Sequence, residues 1–190
     1  MKTRHKTLLF VVIIFGVLYL LLYGGEKSEY QKAQDKKEEA YEALRYSNEG
    51  NFLIMRNSYI AHSVGENNIT AYIKHNKSLK KSFLFLKVTC QADAKRTKAI
   101  TFASSASYEK LDYINEVYHL TSHKIGSKNF ATLDIQIGEI LKEQLLRMSQ
   151  DSSASVVFTD HKGDHRFKLT EAERKGLEQA ILAYKYIRCE

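Results

Sequence analysis

The chain of 190 residues contains no proline and no tryptophan, two cysteines, and nine glycines, of which only Gly24 and Gly25 are adjacent. Without proline there is no Pro-rich rigid spacer, so any reach away from an anchoring point must come from helix. Without a glycine cluster there is no backbone loop to cradle phosphates. No Gly-x-Ser-x-Gly elbow surrounds any serine, the group Ser104, Ser105 and Ser107 included. Neither an internal repeat nor a low-complexity tract occurs. Twelve tyrosines and nine phenylalanines supply the large side chains.

The two cysteines, Cys90 and Cys189, lie 99 positions apart. An even count suits a disulfide in an exported domain, and in the chain-entropy account a loop of that size stabilises by up to about 4.7 kcal/mol. The alternative is two unpaired thiols, one on a core strand and one at the terminus. A thiol in a core is inert, which also weighs against Cys90 as a nucleophile.

What the chain does have is a charge-free apolar run over residues 7–25, preceded by Lys2, Arg4 and Lys6. As a helix this run would be about 28 Å long, close to the hydrocarbon thickness of a bilayer. Tyr19 and Tyr23 fall toward its far end, where amphipathic rings suit the interface. Cleavage as a signal peptide fits poorly. A cut after Gly25 puts Tyr23, and a cut after Gly24 puts Leu22, where a small residue is needed. The run therefore reads as a single-pass anchor in the cytoplasmic membrane. Basic residues flank both sides in similar number, and the short basic tail favours an N-terminus inside and a domain outside the cytoplasm.

The expected organisation is a cytoplasmic tail over residues 1–6, the anchor over 7–25, a helical stalk over 26–49 and an extracytoplasmic domain over 50–190. The stalk is rich in Glu, Lys, Gln and Ala, all good helix formers, and Gly50 would mark its end. Beyond it, strands are expected over residues 52–55, 58–64, 68–75, 82–90, 98–104, 130–137, 155–160 and 165–169. The strand over 82–90 is apolar on both faces at its start and should lie centrally. Residues 108–120 fit helix and strand equally. Helices are expected over 139–149 and after Thr170, where Glu173 completes a capping box. The fold class is α+β: one mostly antiparallel β domain with a C-terminal helix packed on the sheet.

Charge is unevenly spread. Residues 74–98 hold eight Lys and Arg against one acid, Asp93, whereas the rest of the domain is slightly acidic. Lys74, Lys77, Lys80, Lys81, Lys95 and Arg96 are the candidate patch for an anionic partner: an anionic lipid, an envelope polymer or an acidic protein. The plainer account of these lysines is a solvated strand face. Tyr72, Phe83 and Phe85 interleave with them as a base-stacking platform would require, but they serve equally as core, and an exported domain rarely meets nucleic acid.

Two histidine pairs, His119/His123 and His161/His165, have a spacing of four that suits a metal only on a helix. The second pair flanks a turn. There, cross-strand pairing of His161 with Asp164 and of His165 with Asp160 is the simpler account. No cofactor is implied. The residues favour a membrane-anchored, non-catalytic binding or assembly module. The alternatives are an envelope metal-assisted hydrolase using Asp160, His161 and His165, and an inhibitory or protective protein that binds one target. Protease added to spheroplasts is expected to cut the domain. A domain left intact there would reverse the topology.

Overall fold

A computed structural model describes residues 27–57, 66–112 and 114–188. The expected anchor, the strand expected over 58–64 and Cys189 lie outside the described residues. Among the described residues no helix is long and apolar enough to cross a membrane.

By its contacts the chain divides after Asp35. In the first unit, Ser28 and Gln31 form a capping box that opens helix α1 (Glu29–Glu42): the Gln31 N–H donates to Ser28 Oγ and the Ser28 N–H to Gln31 Oε1. The helix is shorter than the stalk expected over 26–49. Residues Leu44–Glu49 form strand β1 instead, and Gly50, at φ 58°, turns a hairpin rather than ending a helix. Pairing along the whole of β2 (Phe52–Asn57) overrides the helical preference of this stretch. Ala40 and Leu44 are buried in the domain core, so the second unit takes in the end of α1.

The second unit is an α+β fold with two antiparallel sheets. Its other strands are β3 (Asn68–Asn76), β4 (Lys81–Cys90), β5 (Ala99–Ala103), β6 (Tyr108–Leu111), β7 (Leu120–Ile125), β8 (Lys128–Gln136), β9 (Ser155–Asp160) and β10 (Gly163–Lys168). The larger sheet runs β1-β2-β3-β4-β8-β7 and the smaller β10-β9-β5-β6. One sheet was expected; the second arises because β5 and β9 pair with each other and not with β4. The ambiguous residues 108–120 divide into strand β6 and one helical turn, α2 (Ile114–Val117), before β7 begins.

Strand β4 is central, paired with β3 on one side and β8 on the other. Its core face carries Leu84, Leu86, Val88 and Cys90, each at most 1% exposed. Helix α3 (Glu139–Gln150) packs on β5 and β6. Helix α4 (Glu171–Arg188) packs on β2, β3, β4 and α3. Leu177, Ala180 and Ile181 form its fully buried stripe, while Tyr184 and Ile187 stay partly covered.

The capping box expected at α4 forms: the Glu173 N–H donates to Thr170 Oγ1, and the Thr170 N–H and hydroxyl both donate to Glu173 Oε2. The same carboxylate also reaches the larger sheet, where its Oε1 accepts the Ile69 N–H at 3.0 Å. Pairing of β2 with β3 ends at Arg56↔Tyr72, so Ile69 lies beyond it and its N–H takes the helix carboxylate as acceptor. Glu173→Ala would orphan that buried donor and remove the cap together. A loss of about 2–4 kcal/mol is expected, read as a lower urea midpoint at unchanged m-value, with Thr170→Ala costing about 1 kcal/mol.

Candidate functional site

The six basic residues singled out by charge density do not form one patch. Lys77, Lys80 and Lys81 sit at the turn between β3 and β4, with Lys74 three residues before it. Lys95 and Arg96 follow the other end of β4, roughly 30 Å away along a strand of that length. Arg96 is already engaged there, pairing with Asp93 at 3.3 Å and approaching His161 at 3.5 Å. The candidate site is therefore the hairpin end alone.

Two turns meet at that end. The Lys77 N–H donates to Asn51 O at 3.0 Å and Lys77 Nζ to Gly50 O at 3.2 Å, which ties the β1–β2 turn to the β3–β4 turn. Within the second turn, the Leu79 N–H donates to Asn76 Oδ1 at 2.9 Å, and Lys80 takes the left-handed conformation at φ 51°. Among the described residues, no carboxylate lies within ion-pair distance of Lys74, Lys77, Lys80 or Lys81. Lys74 instead lies over aromatic rings, 4.3 Å from the Phe85 centroid and 5.4 Å from that of Tyr72. Those rings stack on each other, and the Tyr72 hydroxyl donates to Asp134 at 2.6 Å. Burial first and that hydrogen bond second push the phenol upward, so it stays protonated. The aromatics expected either to stack bases or to fill core are thus placed differently. Tyr72 is buried, and Phe83 and Phe85 are half-buried.

Beside the turn lies an open groove of about 600 Å³, lined by His75, Lys80, Lys81, Ser82, Phe83, Gln136, Tyr184, Ile187 and Arg188. Its floor is partly apolar and its rim basic. His75 Nδ1 lies 3.0 Å from Ser82 Oγ, which orients the imidazole. Arg188 spans the rim between the Tyr184 ring, 5.8 Å away, and Glu139, 3.6 Å away. Its part in the site was not legible, because only the packing of α4 brings position 188 to a turn a hundred residues earlier.

The histidine clusters resolve into pairwise contacts. His123 lies on β7 and stacks on Phe130 at 5.5 Å, so its spacing from His119 is that of a strand and not of a helix. In the β9–β10 hairpin, His165 Nε2 lies 3.1 Å from Asp160 Oδ2, as expected, whereas Asp164 accepts from the Thr159 hydroxyl instead of meeting His161. Among the described residues no three metal-ligating side chains converge. Ser104 and Ser107 are hydrogen-bonded together, and the Ser107 hydroxyl donates to Gln144, which in turn donates to Phe102 O. Cys90 is buried, its Sγ faces His165 O at 3.8 Å, and burial pushes its thiol up to about 12.

No protein-family profile, curated protein or solved structure matches the chain.

The Asp160 carboxylate feels opposing influences. Burial raises its pKa, but the Lys162 N–H at 2.6 Å and His165 outweigh burial and hold it below its ordinary value of 3.8. A carboxylate with a depressed folded-state pKa stabilises the fold above its unfolded value, and that contribution is lost as pH falls through the folded value. Stability should therefore drop below pH 3.8. Asp160→Asn should flatten this acid limb, measured as urea midpoints across acidic pH. An unchanged slope would assign the limb to other groups.

Proposed function

We propose that this chain is a membrane-tethered, non-catalytic binding module that holds an anionic partner at the β3–β4 hairpin end of its domain. In this reading the run over residues 7–25 is the tether and the domain faces outward from the cytoplasmic membrane. One observation carries the binding role: Lys74, Lys77, Lys80 and Lys81 gather at one end of the sheet with no carboxylate in ion-pair distance among the described residues. Elsewhere in the domain basic side chains commonly do have such partners, as in Arg56–Glu49, Lys36–Glu178 and Lys175–Glu171. Four ammonium groups left unneutralised raise the local potential and favour an anion. The groove beside them, with Arg188 on its rim, gives that anion a place to sit.

The role is one of holding. The groove is open, and although His75 Nδ1 lies 3.0 Å from Ser82 Oγ, no carboxylate among the described residues orients that imidazole as a catalytic base. The separation of the lysine groups also supports one docking end in preference to a broad basic face.

The test uses the full-length protein held in nanodiscs of neutral phosphatidylcholine, with polyphosphate and phosphatidylglycerol vesicles as probes. Each basic side chain near an anionic surface contributes about 1 kcal/mol. Replacing Lys74, Lys77, Lys80 and Lys81 together by Gln should thus weaken association on the order of a thousandfold at low salt. Lys95→Gln with Arg96→Gln should change it far less. Equal binding of both probes by the quadruple variant and the parent would overturn the reading.

A further inference from the structure

The same end of the sheet carries a feature that charge alone does not explain. Leu79, at the tip of the β3–β4 turn, is 61% exposed, and Phe52, beginning β2 beside the adjacent turn, is 36% exposed. Phe52 is paired in register with Asn76, and Asn76 with Lys81, so the phenyl ring and Lys81 belong to one row on one face of the sheet. A leucine is thus held out into solvent with Lys77 and Lys80 on either side of it in sequence. It is not there by looseness. Its N–H is fixed to Asn76 Oδ1, and the turn behind it is fixed to the β1–β2 turn through Lys77.

We infer that this hairpin end is a bilayer-contact site, in which Leu79 enters the interface of an anionic membrane while Lys77, Lys80 and Lys81 meet its phosphate headgroups. The inference rests on the anionic-partner reading and names the partner. A soluble polyanion would satisfy the lysines but would leave Leu79 in water. A bilayer surface supplies both phases at once: phosphates at one depth and hydrocarbon a few ångströms below. Lysine suits this role, because its long apolar stem can lie along the acyl boundary while the ammonium stays at headgroup level. The groove beside the tip, rimmed by Lys80, Lys81 and Arg188 and with the Tyr184 ring in its wall, gives one headgroup room to be held from the side. Tyrosine is also a residue that favours the interfacial layer.

The absence of tryptophan from the chain makes the test direct. Leu79→Trp creates a single reporter at the tip, at a position where the side chain is mostly in solvent and replacement leaves the core untouched. Tyr108→Trp places a second reporter on the smaller sheet, at a residue 71% exposed. Full-length protein carrying either reporter is reconstituted into vesicles of phosphatidylcholine with or without phosphatidylglycerol. With phosphatidylglycerol present, the emission of Leu79→Trp should shift to shorter wavelength and be quenched by lipids carrying a shallow doxyl group. Both effects should disappear in pure phosphatidylcholine, in about 1 M salt where the screening length shrinks to about 3 Å, and when Lys77, Lys80 and Lys81 are changed to Glu in the same background. Tyr108→Trp should report water throughout.

A water-like spectrum from Leu79→Trp in anionic bilayers overturns the inference, and so does equal quenching of the two reporters. These results leave the anionic-partner reading standing wherever the quadruple lysine variant still loses polyphosphate. If that variant binds polyphosphate and vesicles like the parent, the broader reading falls first and this inference with it.

Discussion

Strand β4 is the constraint on which the rest of the domain depends. A strand with apolar side chains on both faces is unstable unless both faces are covered, and it cannot sit at a sheet edge without exposing them. Its core face is sealed by α4 and the hydrophobic cluster. On its other face Phe85 stacks on Tyr72 beneath Lys74. Once β4 is central, β3 and β8 must flank it, and the register from Asn68↔Thr89 to Asn76↔Lys81 is set by matching apolar rows. That register decides where charge can go. The apolar pattern of β4 stops at Lys81, so the turn preceding it is forced to the end of the sheet, and its lysines gather where no core element follows.

A second tie makes the position of α4 definite. The Glu173 carboxylate serves two masters, the first turn of its own helix and the Ile69 N–H of β3. A buried carboxylate is stable only when its oxygens are satisfied, and here three donors satisfy it. Because the tie lies at the start of α4, the helix leaves it at a fixed angle and delivers Tyr184, Ile187 and Arg188 to the hairpin end near its other terminus. The groove is thus a consequence of the cap. A helix free to slide on the sheet would not keep a basic rim opposite Lys80 and Lys81.

Much of the fold was legible in the residues because local signals and tertiary packing agree. Alternation marks β3, β4 and β8, and the Thr170/Glu173 box marks the start of α4. Failures came where they disagree. Residues 44–49 follow a strongly helical stretch, yet Leu44 is wanted in the core and β2 offers a full ladder, so pairing wins. Two sheets in place of one could not be read, since strand partnership is a long-range property that alternation does not encode. The candidate site was legible in part. Charge density found Lys74, Lys77, Lys80 and Lys81, but it also gathered Lys95 and Arg96, because proximity in sequence ignores the length of the strand between them. Arg188 and the groove were invisible for the converse reason.

The way the hairpin end is built bears on what kind of recognition it can perform. Its backbone is rigid: two turns are bound to each other and the leucine N–H is pinned. The ammonium groups of Lys80 and Lys81 are not, for they make no ion pair that fixes their stems among the described residues. A lysine is a point charge with several rotatable bonds, unlike the planar fork of arginine, and it gives up rotamer entropy when it engages one fixed partner atom. Such a surface is poorly suited to selecting one shape of anion. It is well suited to a field of many equivalent phosphates, because each lysine can satisfy itself without settling into a single geometry. The ordered Leu79 supplies what the mobile charges lack, a defined depth and direction of approach. Rigid backbone, mobile charge and one fixed apolar tip together describe contact with a surface more naturally than capture of a molecule.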